Sequence, residues 1–134
     1  MIITSNQNLH YYPDNRSYSF KVKLRQTVEL NGYWKIALTE IELNETNNTK
    51  ETLYIYANIC GESIINGVNE PLLRRVAVFN NQNTVFTSYY YIPVIKSELN
   101  EIEITVKTAD GRLADQLTQP ITLVAHFRSY PFYS

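Results

Sequence analysis

The sequence predicts an all-β protein: a single domain over residues 1–134, folded as an eight-stranded antiparallel sandwich of jelly-roll or similar Greek-key type. Apolar and polar residues alternate with period two in segment after segment, as strands with one buried face require. No window carries helical periodicity beyond two turns. Turn chemistry at Pro13-Asp14-Asn15, Asn31-Gly32 and Asp110-Gly111-Arg112 separates the alternating runs. An open meander would leave the Tyr, Val and Leu of its second face in water, which favours two packed sheets.

The expected strands follow in order. Residues 1–5 are a short β-prone start, followed by a loop from Asn6 to Asn15. Strand 17–25 has the cleanest pattern: Tyr18, Phe20, Val22 and Leu24 face one way, Ser17, Ser19, Lys21, Lys23 and Arg25 the other. That basic stripe reads as a solvated strand face that resists edge pairing. In strand 33–43, Trp34, Ile36 and Leu38 have one parity and Ile41 and Leu43 the opposite, which predicts a bulge near Thr39-Glu40. Asn44 to Glu51 is a polar loop. Strand 52–59 places Leu53, Ile55, Ala57 and Ile59 inward and Tyr54, Tyr56 and Asn58 outward. A turn-rich link leads to Pro71 and strand 72–79, then to a polar turn at 80–83. Strand 84–92 is crowded with Phe86, Tyr89, Tyr90 and Tyr91 and is closed by Pro93. Lys96 to Asn100 has room for a helical turn at most. Strand 101–107 turns Ile102, Ile104 and Val106 inward, and strand 120–128 carries Ile121, Leu123, Ala125 and Phe127 on one face.

Composition narrows the chemistry. With 44% hydrophobic and 19% charged residues, a real core forms and the surface relies on Tyr, Asn, Thr and Ser. Eleven tyrosines fit strands and protein interfaces, where an apolar ring with a polar tip suits a half-wet surface. A formal charge of −1 gives no basic field for nucleic acid or anionic lipid. The single cysteine, Cys60, excludes an internal disulfide and a cysteine-built zinc site. The start of the chain lacks a basic region and a long apolar run, so synthesis inside the cell without secretion is expected, and no stretch reaches membrane-spanning length.

No catalytic set stands out, so a non-enzyme without cofactor, metal or small-molecule substrate is expected. His10 and His126 lack a carboxylate at ligand spacing. The pairs Glu40/Glu42 and Glu101/Glu103 read as solvation, and no glycine-rich phosphate loop occurs. What remains is surface. Arg74-Arg75, behind two leucines, offers a fork of donors on a rigid strand, suited to carboxylate or carbonyl contacts between subunits. Tyr89, Tyr90, Tyr91 and the tail residues Tyr130, Phe132 and Tyr133 are the aromatic candidates for the same contact.

Several stretches resemble penton-like single jelly-roll capsid proteins of Polinton/Maverick elements and related adintovirus-like DNA viruses. They are Tyr11-Tyr-Pro-Asp-Asn15, Phe20 to Leu24, Leu30-Asn-Gly-Tyr-Trp-Lys-Ile-Ala-Leu-Thr-Glu-Ile41, Leu53-Tyr-Ile-Tyr56, Ile65-Asn-Gly67, Pro71-Leu-Leu-Arg-Arg-Val76, Tyr91-Ile-Pro-Val94, Ile102-Glu-Ile104, Asp110-Gly-Arg112 and Ile121-Thr-Leu-Val-Ala-His-Phe-Arg128. They run through nearly the whole chain in order. The polar Glu42-Leu-Asn-Glu45 departs from the pattern. The resemblance implies a virion subunit that forms a ring, a homopentamer, at capsid vertices beside the major capsid protein of the same virus or element, with no specific nucleic acid and no membrane as partner. A carbohydrate- or protein-binding jelly-roll module, trimeric like some lectins and cytokines, is the alternative.

Overall fold

The computed structural model describes residues 1–44, 51–65, 67–78 and 83–130. It is all-β and antiparallel, with no helix among the described residues. The strands are β1 (Ile2–Thr4), β2 (Ser19–Glu29), β3 (Tyr33–Leu43), β4 (Glu51–Ala57), β5 (Ser63–Ile65), β6 (Val68–Glu70), β7 (Leu72–Val78), β8 (Asn83–Val85), β9 (Ile92–Pro93), β10 (Glu98–Thr108) and β11 (Ile121–Tyr130). One sheet has the order β1-β11-β3-β8, with β9 also paired to β3; the other has the order β2-β10-β4-β7, and β5 and β6 form a separate hairpin.

Period-two alternation builds the core. Phe20 and Val22 of β2, Ile102, Ile104 and Val106 of β10, and Leu53 and Ile55 of β4 belong to one buried cluster with Ile36, Leu38, Ile41 and Leu43 of β3 and Ile121, Leu123 and Ala125 of β11. Each Val, Leu, Ile or Phe among them contributes about 1.5–3 kcal/mol on burial. The bulge expected in β3 is present: Val124 lies opposite Glu40 but Ala125 lies opposite Leu38, so Thr39 is the extra residue. Its Oγ1 donates to the Val124 carbonyl at 3.1 Å. That one insertion lets Ile36 and Leu38 on one side of it, and Ile41 and Leu43 on the other, all face the core.

The basic stripe has a structural partner. Lys21 lies opposite Glu103 and Lys23 opposite Glu101, so the lysines of β2 stand beside an acidic row on β10. β2 is also a sheet edge, and the preceding loop covers part of it. The Asn15 side chain accepts from the Lys21 N–H at 3.0 Å and donates to the Lys21 carbonyl at 2.9 Å, and Asn8 Oδ1 accepts from the Lys23 N–H at 3.1 Å. Two asparagines thus do for the edge backbone what a neighbouring strand would do. Further along, β2 places Leu24 to Thr27 between two paired positions that Asn100 alone separates on β10, a second and larger bulge.

The structure corrects several expectations. Among the described residues there are eleven strands where eight are expected, because a hairpin is added and one expected strand is split in two. The link after strand 52–59 contains the β5–β6 hairpin, whose Gly67 takes φ +80°. The expected strand 84–92 is broken: β8 ends at Val85, β9 starts at Ile92, and Tyr89, Tyr90 and Tyr91 lie between them. Lys96 to Asn100 is no helical turn, because β10 already begins at Glu98. Strand 17–25 runs on to Glu29. Tyr56, expected outward, is buried. The expected turn at 80–83 lies outside the described residues apart from Asn83, which starts β8.

Replacing Asn15 by Ala leaves two edge backbone groups of β2 without partners. A loss of about 1–3 kcal/mol is expected in urea unfolding, whereas Asn44→Ala, which removes one exposed 3.4 Å contact, is expected to cost less than about 0.5 kcal/mol.

Candidate functional site

β7 is an edge strand of its sheet, and β8 is an edge of the other. Between them stands Arg74. A register shift in the β4–β7 ladder sets Arg74 opposite the fully buried Ile55, as Val76 is opposite Leu53, so Arg74 occupies a core-facing position at the sandwich edge. An ionised side chain there has to leave between the sheets. Its guanidinium carbon lies 3.6 Å from the Phe86 ring centroid and 4.7 Å from that of Tyr90. Nη1 donates to the Ser88 carbonyl at 2.8 Å. Phe86 is itself held, its N–H donating to the carbonyl of the bulged Thr39 at 3.0 Å. Arg74 is therefore a clamp that ties the β8–β9 connection to β7 and closes one flank of the sandwich.

Magnitudes show the clamp to be modest. A desolvated cation over an aromatic ring contributes about 0.5–2 kcal/mol, and a charged donor to a carbonyl about 1.5–3 kcal/mol. Against this, Nε is buried without a partner among the described residues. Such an unmet donor costs about 1–3 kcal/mol. Burial also pushes the Arg74 pKa down, yet a guanidinium remains charged at any ordinary pH.

The other expected contact residues separate. Arg75 lies opposite Tyr54 on the outward face of the same sheet and is exposed. Tyr89 and Tyr90 are 48% and 62% exposed, and Val85 at the end of β8 is 62% exposed, so this flank presents rings and a cation together. Tyr91 turns away from it. Its hydroxyl and His126 Nδ1 share a 2.8 Å hydrogen bond, and the Arg128 guanidinium carbon lies 5.7 Å from its ring centroid. Tyr130, expected in a tail beyond strand 120–128, is the last residue of β11 and stands opposite Tyr33. Phe132 and Tyr133 lie outside the described residues. The expected set is thus two groups, Arg74/Arg75/Tyr89/Tyr90 on one flank and Tyr91 with β11.

Sequence reasoning passed over Phe86 and Ser88 as clamp partners. The aromatic crowding of 84–91 marked the segment, but no spacing signals a guanidinium stacked across two sheets. It also passed over Glu70, which anchors the β5–β6 hairpin: Lys107 Nζ lies 3.3 Å from Glu70 Oε1 and 5.3 Å from the Tyr56 ring centroid. Burial, then the hydrogen bond to Glu70, pushes the Tyr56 phenol up, and that same hydrogen bond holds the Glu70 carboxyl below its usual range.

At the β2 end of the same sheet, residues 11–15 roof a cavity of about 300 Å³ lined by Tyr11, Tyr12, Asp14, Lys21 and Glu103 among others. The Tyr12 hydroxyl donates to Glu101 Oε2 at 2.6 Å, which fixes that ring and raises its pKa. Lys21 Nζ lies 6.0 Å from the Tyr12 ring centroid and Lys23 Nζ 5.3 Å from that of Tyr11. Cys60 is fully buried and its thiol is pushed up to about 12 by desolvation, so it stays protonated and inert. Among the described residues no group of three or more His, Cys, Asp or Glu could hold a metal ion, and no helix is long and apolar enough to cross a membrane. No protein-family model, curated protein or solved structure matches the chain.

Removing the clamp with Arg74→Ala is expected to speed amide exchange in residues 86–91 at least ten-fold while the β3 and β11 amides stay protected; unchanged exchange would show that Arg74 does not hold the segment. Cys60 is expected to resist iodoacetamide at pH 8 in the folded protein and to react readily once urea unfolds it, read by mass spectrometry.

Proposed function

We propose that the chain is a structural subunit, a penton-like single jelly-roll capsid protein that closes into a homopentameric ring at a virion vertex, beside the major capsid protein. The strand order carries this reading. With β8 and β9 taken as two pieces of one strand, and β5–β6 as an insertion, eight strands remain. Their orders are then 1-8-3-6 in one sheet and 2-7-4-5 in the other. That interleaving supports a jelly-roll reading, in which most successive strands pass between sheets and sequence-distant strands pair. The ordered resemblance along the sequence points the same way.

A ring needs two different faces on each copy, each meeting the other face of the next copy. The β7/β8–β9 flank suits one of them. Arg75, Tyr89 and Tyr90 are exposed on it, and the Arg74 clamp holds the segment that bears both tyrosines. Rigid aromatic anchors beside an arginine are the residue types that carry most interface energy. A scaffold role also fits the side chains themselves, since Cys60 is a buried thiol, and His126 is engaged by Tyr91.

Native mass spectrometry of the purified chain is expected to show five copies. Three copies would support the lectin-like or cytokine-like alternative, and a strict monomer at high concentration would overturn ring formation as an intrinsic property. Tyr90→Ala is expected to weaken assembly at least ten-fold in concentration while leaving the far-UV circular dichroism unchanged.

A further inference from the structure

We infer that Arg75 of one copy docks into the groove beneath Tyr11 and Tyr12 of the next, with its guanidinium between the carboxylates of Asp14 and Glu103. This rests on the ring reading and names the two faces that meet. The groove and the arginine lie at opposite ends of one sheet: Lys21 and Glu103 belong to β2 and β10, Arg75 to β7, in the order β2-β10-β4-β7. Copies set side by side, β7 edge to β2 edge, bring the two together, and the contact is heterologous, as a closed ring requires.

The chemistry of the groove matches the cation. Its charged lining is two carboxylates, Asp14 and Glu103, against one ammonium, Lys21, which leaves it one negative charge in excess. Neither carboxylate has an ion-pair partner among the described residues, where the ion pairs are Glu70–Lys107 and Asp110–Arg112. Arg75 is likewise exposed and unpaired among them. Lys21 Nζ lies 6.0 Å from the Tyr12 ring centroid and makes no ion pair with either carboxylate. A planar guanidinium can do both things the groove offers, forking onto a carboxylate and stacking on a tyrosine. The protein already stacks a guanidinium on rings within one chain, where Arg74 lies over Phe86 and Tyr90. An arginine supplied by the neighbour neutralises the groove and sets the register of the two copies.

Charge reversal tests this. Arg75→Glu, Glu103→Arg and the double variant are compared with the parent by native mass spectrometry across a concentration series, with circular dichroism to confirm folding. Each single reversal is expected to raise the concentration needed for assembly at least ten-fold, and the double variant, with the charges exchanged, to restore it. Singles that assemble as the parent does, or a double that stays dissociated, would overturn this pairing while leaving a ring in place; a parent that is monomeric would overturn the ring reading itself. Should Glu103→Arg fail to fold, Asp14→Arg, at an exposed loop position, makes the same test.

Discussion

An open two-sheet sandwich leaves unpaired backbone at its edges, and this chain is shaped by how it closes them. Its pairings leave β1 and β8 at the edges of one sheet and β2 and β7 at those of the other. At β2 the solution is polar and local: Asn15 and Asn8 bond the edge backbone with their side chains. On the opposite flank it is aromatic and long-range. The β8–β9 connection folds against β7, and Arg74 reaches across to Phe86, Tyr90 and the Ser88 carbonyl. The interior is ordinary alternation. The distinctive residues of the sequence are spent on its margins.

Those margins explain why two adjacent arginines have different tasks. Arg74 shares the inward parity of Val76 and Arg75 the outward parity of Ala77, so one closes the fold while the other remains available to a partner. The bulge at Thr39 contributes to the same closure: its carbonyl receives the Phe86 N–H, which places the ring beneath the guanidinium. A local irregularity in β3 thus helps to set the surface of a segment nearly fifty residues later.

Much of this was legible in the sequence, and the limits have physical causes. Strand β3 matches its expected span at both ends, and the bulge within it could be placed because the phase of alternation reverses around Thr39. The β5–β6 hairpin was signalled by Asn66-Gly67 but lay in a short run without clear alternation. The break at Tyr89 to Tyr91 was hidden because tyrosine favours strands whether or not a ladder partner exists, and only the packing of the rings against Arg74 and His126 shows that the segment is held by side chains. The placement of Lys21 opposite Glu103 and of Lys23 opposite Glu101 needs the register of strands some eighty residues apart, which no local pattern carries.

Edges closed by side chains rather than by neighbouring strands remain surfaces on which another copy can seat, and the central claim is that copies meet there. Electron cryo-microscopy of the purified assembly tests it most directly. The account predicts a closed ring in which the β7 flank of each copy abuts the β2 flank of the next; copies packed through the outward faces of their sheets, or isolated single copies, would contradict it.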